Sequence, residues 1–164
     1  MKFIFISIKI IFLYFISFSS SYSIEAPNIK NLIIYEEKQK IKFFDFLNEA
    51  GNKVNLKDFK SELIILNFWA TWCAPCREEM PSLNNLQILK DEKKIKIIPI
   101  NIGGENISTS KKFFDDLLIK ELQVFVGDGA EIAKNLKLRG LPTTLFIDKD
   151  GYEFARIVGS IDFN

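Results

Sequence analysis

Apolar and polar residues change rhythm several times along this chain, and each change marks a boundary. Residues Phe3 to Phe18 form a long apolar run behind Lys2, followed by the small polar stretch Ser19 to Ser23. A basic start, an apolar core and small residues make an export signal, and the spacing of Ser21 and Ser23 places cleavage before Ile24. The same run also reads as an uncleaved membrane anchor, although it falls short of the ~20 residues of a spanning helix and Lys9 interrupts it. Both readings export the remainder. From Glu25 to Lys40 the chain is polar, with little periodicity beyond Leu32-Ile33-Ile34. Residues 24–40 are therefore expected to be a linker, and 41–164 the domain.

Within that domain, Ile41 to Phe46 alternates loosely, turns at Asn48 to Asn52 and resumes at Val54 to Leu56, which predicts a hairpin. Leu63 to Phe68 is a continuous apolar run of strand length, as in a strand covered on both faces. Met80, Leu83, Leu86 and Leu89 fall on one stripe of a helix from about Ala74 to Lys90, with a kink expected at Pro81. Lys96 to Ile102 is the next strand, stopped by Gly103-Gly104. A helix from Ser108 or Thr109 to about Ile119 follows, with a Ser/Thr cap and Phe113, Phe114, Leu117 and Leu118 inward. Val124 to Val126 is a short strand, Ala130 to Lys137 a short helix, and Thr144 to Ile147 pairs with Tyr152 to Val158 through the turn at Asp148 to Gly151. Helices alternating with buried strands make a mixed sheet with helices on its faces, an α/β layered domain.

A chain of 164 residues holds one domain of ordinary size, so one site is expected. With 22 basic and 21 acidic residues intermixed, no nucleic-acid surface is indicated. Histidine is absent, which removes Ser/His and Cys/His nucleophile pairs and most zinc sites. What remains is Cys73 and Cys76, the chain's two cysteines.

Strand, Cys-x-x-Cys, then helix places Cys73 at a helix N-terminus, where unpaired N–H groups and the helix dipole favour a thiolate. Cys73 is then the nucleophile. Cys76 lies about one turn on, able to close a disulfide with Cys73 and to resolve a mixed disulfide. Other readings of the pair are weaker. Zinc wants four nitrogen or sulfur ligands, and a haem attachment needs histidine where Arg77 stands, so no metal and no cofactor are expected. A static bridge closes so short a loop that it stabilises little, which favours redox use.

The stretch Leu66-Asn67-Phe68-Trp69-Ala70-Thr71-Trp72-Cys73-Ala74-Pro75-Cys76-Arg77-Glu78-Glu79-Met80-Pro81 resembles the active-site strand and helix of the thioredoxin superfamily, and in detail its TlpA-like branch of exported thiol:disulfide oxidoreductases. Gly140-Leu141-Pro142-Thr143-Thr144-Leu145-Phe146-Ile147-Asp148 resembles that family's second element, in which the proline is cis and faces the cysteines. The likeness runs from about Ile41 to Val158. It implies a thioredoxin-like fold, a central mixed sheet with helices on both faces. The family's C-terminal helix has no counterpart before Asn164, so the domain is expected to be truncated at its C-terminal end.

The resemblance also implies roles. Asn67 occupies the place of the buried Asp of cytoplasmic thioredoxins and cannot take a proton. Glu79 matches the acid that can do proton work in the TlpA-like branch, the bland alternative being a first-turn acid favoured by the helix dipole. Glu78 is expected to face solvent. Pro142 in the cis form would turn the backbone of Leu141 outward to pair with an extended substrate segment. Trp72 is expected as an exposed lip of the site and Trp69 as core.

The implied function is thiol–disulfide exchange on protein thiol or disulfide substrates, as a reductase and in the setting of cytochrome c maturation. A membrane or periplasmic redox partner would restore the dithiol. The implied location is the periplasm, with the inner membrane as anchor if 1–23 is retained. Two rivals stand beside this. One is a non-catalytic exported module that holds a peptide at the Leu141-Pro142 edge. The other is a peroxiredoxin-like antioxidant, which would need its peroxidatic cysteine in a Pro/Thr-rich pocket upstream.

Overall fold

The computed structural model describes residues 29–89 and 91–161, so the proposed export segment 1–23 and most of 24–31 lie outside the described residues. Eight strands form one mixed sheet: β1 (Leu32–Lys40), β2 (Asp45–Asn48), β3 (Lys53–Asn55), β4 (Leu63–Trp69), β5 (Ile95–Asn101), β6 (Phe125–Val126), β7 (Thr143–Asp148) and β8 (Tyr152–Val158). Their order is β1-β8-β7-β4-β5-β6-β2-β3. The helices are α1 (Ala74–Leu89), α2 (Ile107–Asp116) and α3 (Gly129–Leu136).

Strand β4 is central, parallel to β5 and antiparallel to β7. Because successive side chains leave opposite faces, Ile64, Leu66 and Phe68 point into one layer and Ile65 and Trp69 into the other. The first layer is closed by Ile132 and Leu136 of α3 and by a cluster of aromatic rings from Phe44, Phe46 and Phe125. Met80 and Leu83 of α1, with Phe113 and Phe114 of α2, close the second. An apolar run buried on both faces needs cover on both, and the expected α/β layered arrangement with helices on both faces is the one observed.

Several elements differ from the sequence pattern. Leu32–Lys40, expected within the 24–40 linker, is instead β1, paired antiparallel with β8 from Leu32 opposite Ile157 to Lys40 opposite Tyr152. Its side chains are mostly exposed, so backbone pairing rather than apolar alternation holds it, and no hydrophobic period marked it. The first hairpin begins at Asp45 rather than Ile41, since Ile41 donates its N–H to the Gly151 carbonyl and Phe44 accepts from Leu56. Helix α2 starts one or two residues earlier, at Ile107, capped by Asn106, whose side chain accepts the Thr109 N–H at 2.9 Å.

Two leucines expected to face inward do not. Leu89 is 74% exposed because Gln87 takes the buried place at that end of α1, accepting the Ile97 N–H and donating to the Ile95 carbonyl. Leu118 is 75% exposed, just past the end of α2 in a left-handed conformation at φ 56°.

Candidate active site

The cysteine loop sits where β4 runs out. After Trp69, the Cys73 N–H closes a turn onto the Ala70 carbonyl at 3.2 Å, and α1 begins at Ala74. Cys73 and Cys76 are joined as a disulfide with Cα atoms 5.3 Å apart. The Cys76 N–H points at the Cys73 sulfur at 3.3 Å, one of the otherwise unpaired donors of the helix start. A negative charge on that sulfur would be met by this N–H and by the positive end of the α1 dipole. Cys76 is fully buried and Cys73 nearly so.

Glu79 follows Cys76 by three residues, which puts the two on the same inward face of α1. Its side chain is 2% exposed. Oε1 accepts from Asn67 Nδ2 at 2.6 Å, and Oε2 accepts from the Ile161 N–H at 3.1 Å. Asn67 Nδ2 also donates to Thr144 Oγ1 at 2.9 Å, so β4, β7, α1 and the segment after β8 meet at one polar cluster inside an apolar layer. Burial pushes the Glu79 carboxyl from an ordinary 4.5 up to about 7, against the two donors, which favour the charged form. The groups that bond the carboxyl are the Asn67 amide and the Ile161 N–H. Glu78 is exposed, and so is Trp72, at 67%, while Trp69 is fully buried against Phe113 and Phe114.

On the far side of the loop, the Leu141–Pro142 bond is cis. Leu141 packs against the layer that contains both cysteines, and the Pro142 carbonyl accepts the Gly159 N–H at 2.9 Å. The Thr143 hydroxyl ties this turn to the Gly140 carbonyl at 2.7 Å.

A second polar cluster was not read from the sequence. Glu105, in the loop after β5, accepts from the Thr71 hydroxyl, from the Thr71 N–H at 3.3 Å and from Asn101 Nδ2 at 2.7 Å. Asn101 in turn accepts the Gly103 N–H, and the Gly103 carbonyl receives the Trp72 indole N–H at 3.4 Å. The turn that presents Cys73 is thereby fastened to the end of β5. No local pattern around Glu105 announces this, since its partner lies 34 residues earlier; the close approach at Gly103, where a Cβ would come within 2.6 Å of the Ala70 Cβ, is visible only in the fold. Among the described residues no group of acids and cysteines could hold a metal ion.

Comparison with known proteins agrees with this geometry. The pattern of the AhpC/TSA family matches residues 38–152. A thiol-disulfide oxidoreductase ResA from Bacillus thuringiensis is 40% identical over 109 residues, which cover 66% of this chain and 62% of that protein, so the chain spans less than two thirds of that relative. A thioredoxin-like protein YneN from Bacillus subtilis is 31% identical over 117 residues, covering 71% of this chain and 68% of that one. Among solved structures, a DsbF homologue from Corynebacterium diphtheriae superposes with a TM-score of 0.68 at 25% identity, covering 85% of this chain and 90% of that one. The fold is thioredoxin-like.

Proposed function

This chain belongs to the AhpC/TSA family, and we propose that it is an exported thiol:disulfide oxidoreductase that exchanges the Cys73–Cys76 pair with protein substrates. The observation that carries this reading is the disulfide at the start of α1, with a buried carboxyl on the same helix face held near neutrality. A structural bridge needs no such acid.

In the dithiol form, the Cys73 thiolate attacks one sulfur of a substrate disulfide. The substrate S–S bond breaks, its other sulfur leaves as a thiolate and takes a proton, and a Cys73–substrate disulfide forms. Cys76 must then lose its proton to attack Cys73 Sγ. Glu79, with a pKa about 7, accepts that proton, which solvent cannot easily reach at a fully buried sulfur. The second substrate thiol is released, the Cys73–Cys76 disulfide closes, and two electrons have passed to the substrate. A dithiol partner at the membrane or in the periplasm returns them.

Trp72, Leu141 and Pro142 form the substrate edge, with the Leu141 backbone pairing an extended segment. The finer reading is a reductase that keeps apocytochrome c cysteines ready for haem, supported by the TlpA-like resemblance. Export rests on residues 1–23; among the described residues no helix is long and apolar enough to cross a membrane.

The test is reduction of insulin together with trapping of intermediates. Cys76→Ser is expected to accumulate a mixed disulfide through Cys73, and Cys73→Ser to accumulate none. The opposite pattern reverses the two roles, turnover of hydroperoxides without disulfide turnover moves the chain to the antioxidant reading, and turnover of neither leaves a peptide-binding module. An alkaline phosphatase fusion to residues 1–23 is expected to be active, and an inactive fusion contradicts export.

A further inference from the structure

Basic and acidic residues are intermixed along the sequence, but one recess of the surface is lined mainly by cations. A groove of about 750 Å³ runs between β1 and the C-terminal end of α3. Its lining contains five cationic side chains, Lys40, Lys42, Lys137, Arg139 and Arg156, and one acid, Glu153, in a chain that has 22 basic and 21 acidic residues overall. The acid is already spoken for. Glu153 is paired with Arg156 through two contacts of 2.6 and 2.8 Å, and Arg156 also donates to the Leu136 carbonyl at 3.2 Å, so this pair forms a fixed, neutral wall at the end of α3.

Lys40 is turned away, its Nζ on the Asp150 carbonyl at 2.7 Å and over the Tyr152 ring. Lys42, Lys137 and Arg139 are exposed and make no ion pair among the described residues. Three unmatched cations thus project along one recess. Lys137 sits at φ 53°, a left-handed helix-cap position where glycine is the usual residue.

One end of the groove lies beside the cis-proline turn, since Val158 of its lining pairs with Thr143. Arg139 stands three residues before Pro142. At the other rim, the Val158 N–H reaches the Asn31 carbonyl at 3.4 Å and the next residue, Gly159, donates to the Pro142 carbonyl. A segment lying in the recess would therefore continue onto the Leu141–Pro142 edge.

We propose that this groove binds an acidic segment of the substrate protein, flanking the cysteine that reacts with Cys73; this rests on the exchange reading given above. Complementary charge at such a rim raises the encounter rate and selects the partner, with an effect that salt removes. A recess between β1 and α3 that ends beside the cis-proline turn fits an extended peptide better than a flat anionic bilayer.

The experiment uses the reduced full chain and two disulfide peptides alike except for their flanks, one rich in Asp and Glu, the other in Gln and Ser. At low salt the acidic peptide is expected to show a kcat/KM about tenfold higher, the sum of a few exposed charge pairs. The preference should vanish at high salt and in Lys42→Glu/Lys137→Glu/Arg139→Glu, while reduction of the small uncharged disulfide bis(2-hydroxyethyl) disulfide stays unchanged. Equal rates for the two peptides, or a preference that survives the triple variant, overturn the proposal. So does charge-dependent sedimentation with phosphatidylglycerol vesicles in the absence of any peptide preference. If the triple variant does not fold, Arg139→Gln alone should halve the preference or more. If no disulfide of any kind is reduced, the exchange reading fails by itself. Fluorescence anisotropy of the labelled acidic peptide on the oxidised chain then decides the groove: salt-sensitive binding lost in the variant supports it, and no binding overturns it.

Discussion

Two carboxyls flank the cysteine loop, and they are held in different ways. Glu79 lies beneath it, 2% exposed, with one amide and one backbone N–H as donors. Glu105 lies beside it, half-buried, and gathers the Thr71 hydroxyl, the Thr71 N–H and the Asn101 amide. For Glu79 desolvation outweighs its donors and lifts the carboxyl to about 7, so the group is poised to exchange protons. Glu105 keeps contact with solvent and fastens backbone. On the exchange reading proposed above, the same side chain is a proton carrier or a clamp according to burial, not according to its distance in sequence from the cysteines.

The largest effect that separates the two is on stability against pH. A carboxyl whose folded pKa is raised favours the fold while it is protonated, so its contribution is complete below about 4.5 and is lost as pH rises through about 7. That loss amounts to on the order of 3 kcal/mol when the shift is converted at 1.36 kcal/mol per unit. Urea unfolding of the oxidised protein, in which the cysteines do not titrate, should therefore show stability falling from pH 5 to pH 9. Glu79→Gln should be nearly flat across that range, and Glu105→Gln should fall in parallel with the unmodified chain. Parallel curves for Glu79→Gln and the unmodified chain would show that the buried carboxyl does not titrate in this window.

Next in size is the effect on exchange. Glu79→Gln is expected to lower kcat/KM for insulin by about 100-fold, the lower range for loss of a general acid–base, and to remove an inflection near pH 7. Glu78→Gln, at an exposed position, should leave both alone. If Glu79→Gln and Glu78→Gln give the same pH–rate profile as the unmodified chain, Glu79 is a buried polar anchor and the proton at Cys76 comes from solvent.

How far the sequence went follows the same division. The cysteine loop and the strand before it are contiguous stretches whose chemistry is written in neighbouring residues, and both were legible, down to the burial of Trp69 and the exposure of Trp72; the cis form of Pro142 came from the family resemblance alone. Glu79 was singled out only by the family resemblance, which its place on the inward face of the Cys76 helix then supports. The clamp was not, because Glu105 and Thr71 meet only when β5 is laid beside β4. Nor was β1, which is held by main-chain bonds that leave no period in the side chains. At Leu89 and Leu118 helical spacing misled, since Gln87 found two backbone partners on β5 and the chain left its helix at Leu117.

The smallest of the expected effects tests the clamp itself. Thr71→Val removes the hydroxyl donor to Glu105 but keeps the Thr71 N–H contact, and Glu105→Gln keeps an acceptor but removes the charge. A hydrogen bond to a charged group contributes about 1.5–3 kcal/mol in favourable cases, and Glu105 is partly solvated, so a coupling of about 1 kcal/mol between the two substitutions is expected from a double-mutant cycle in urea. A merely local stabilising contact would stop there. If the clamp sets the turn before Cys73, both variants should also shift the fluorescence of Trp72, whose indole N–H is held by Gly103 in the same loop, and should alter the equilibrium between the Cys73–Cys76 disulfide and glutathione. Gly103→Ala offers an independent approach, because its Cβ would fall 2.7 Å from Glu105 Oε2 and 2.9 Å from the Trp72 nitrogen. It should reproduce both shifts with Thr71 and Glu105 themselves left unsubstituted. Coupling near zero, with Trp72 fluorescence and the glutathione equilibrium unmoved in all three variants, would leave Glu105 a surface acid that happens to meet Thr71.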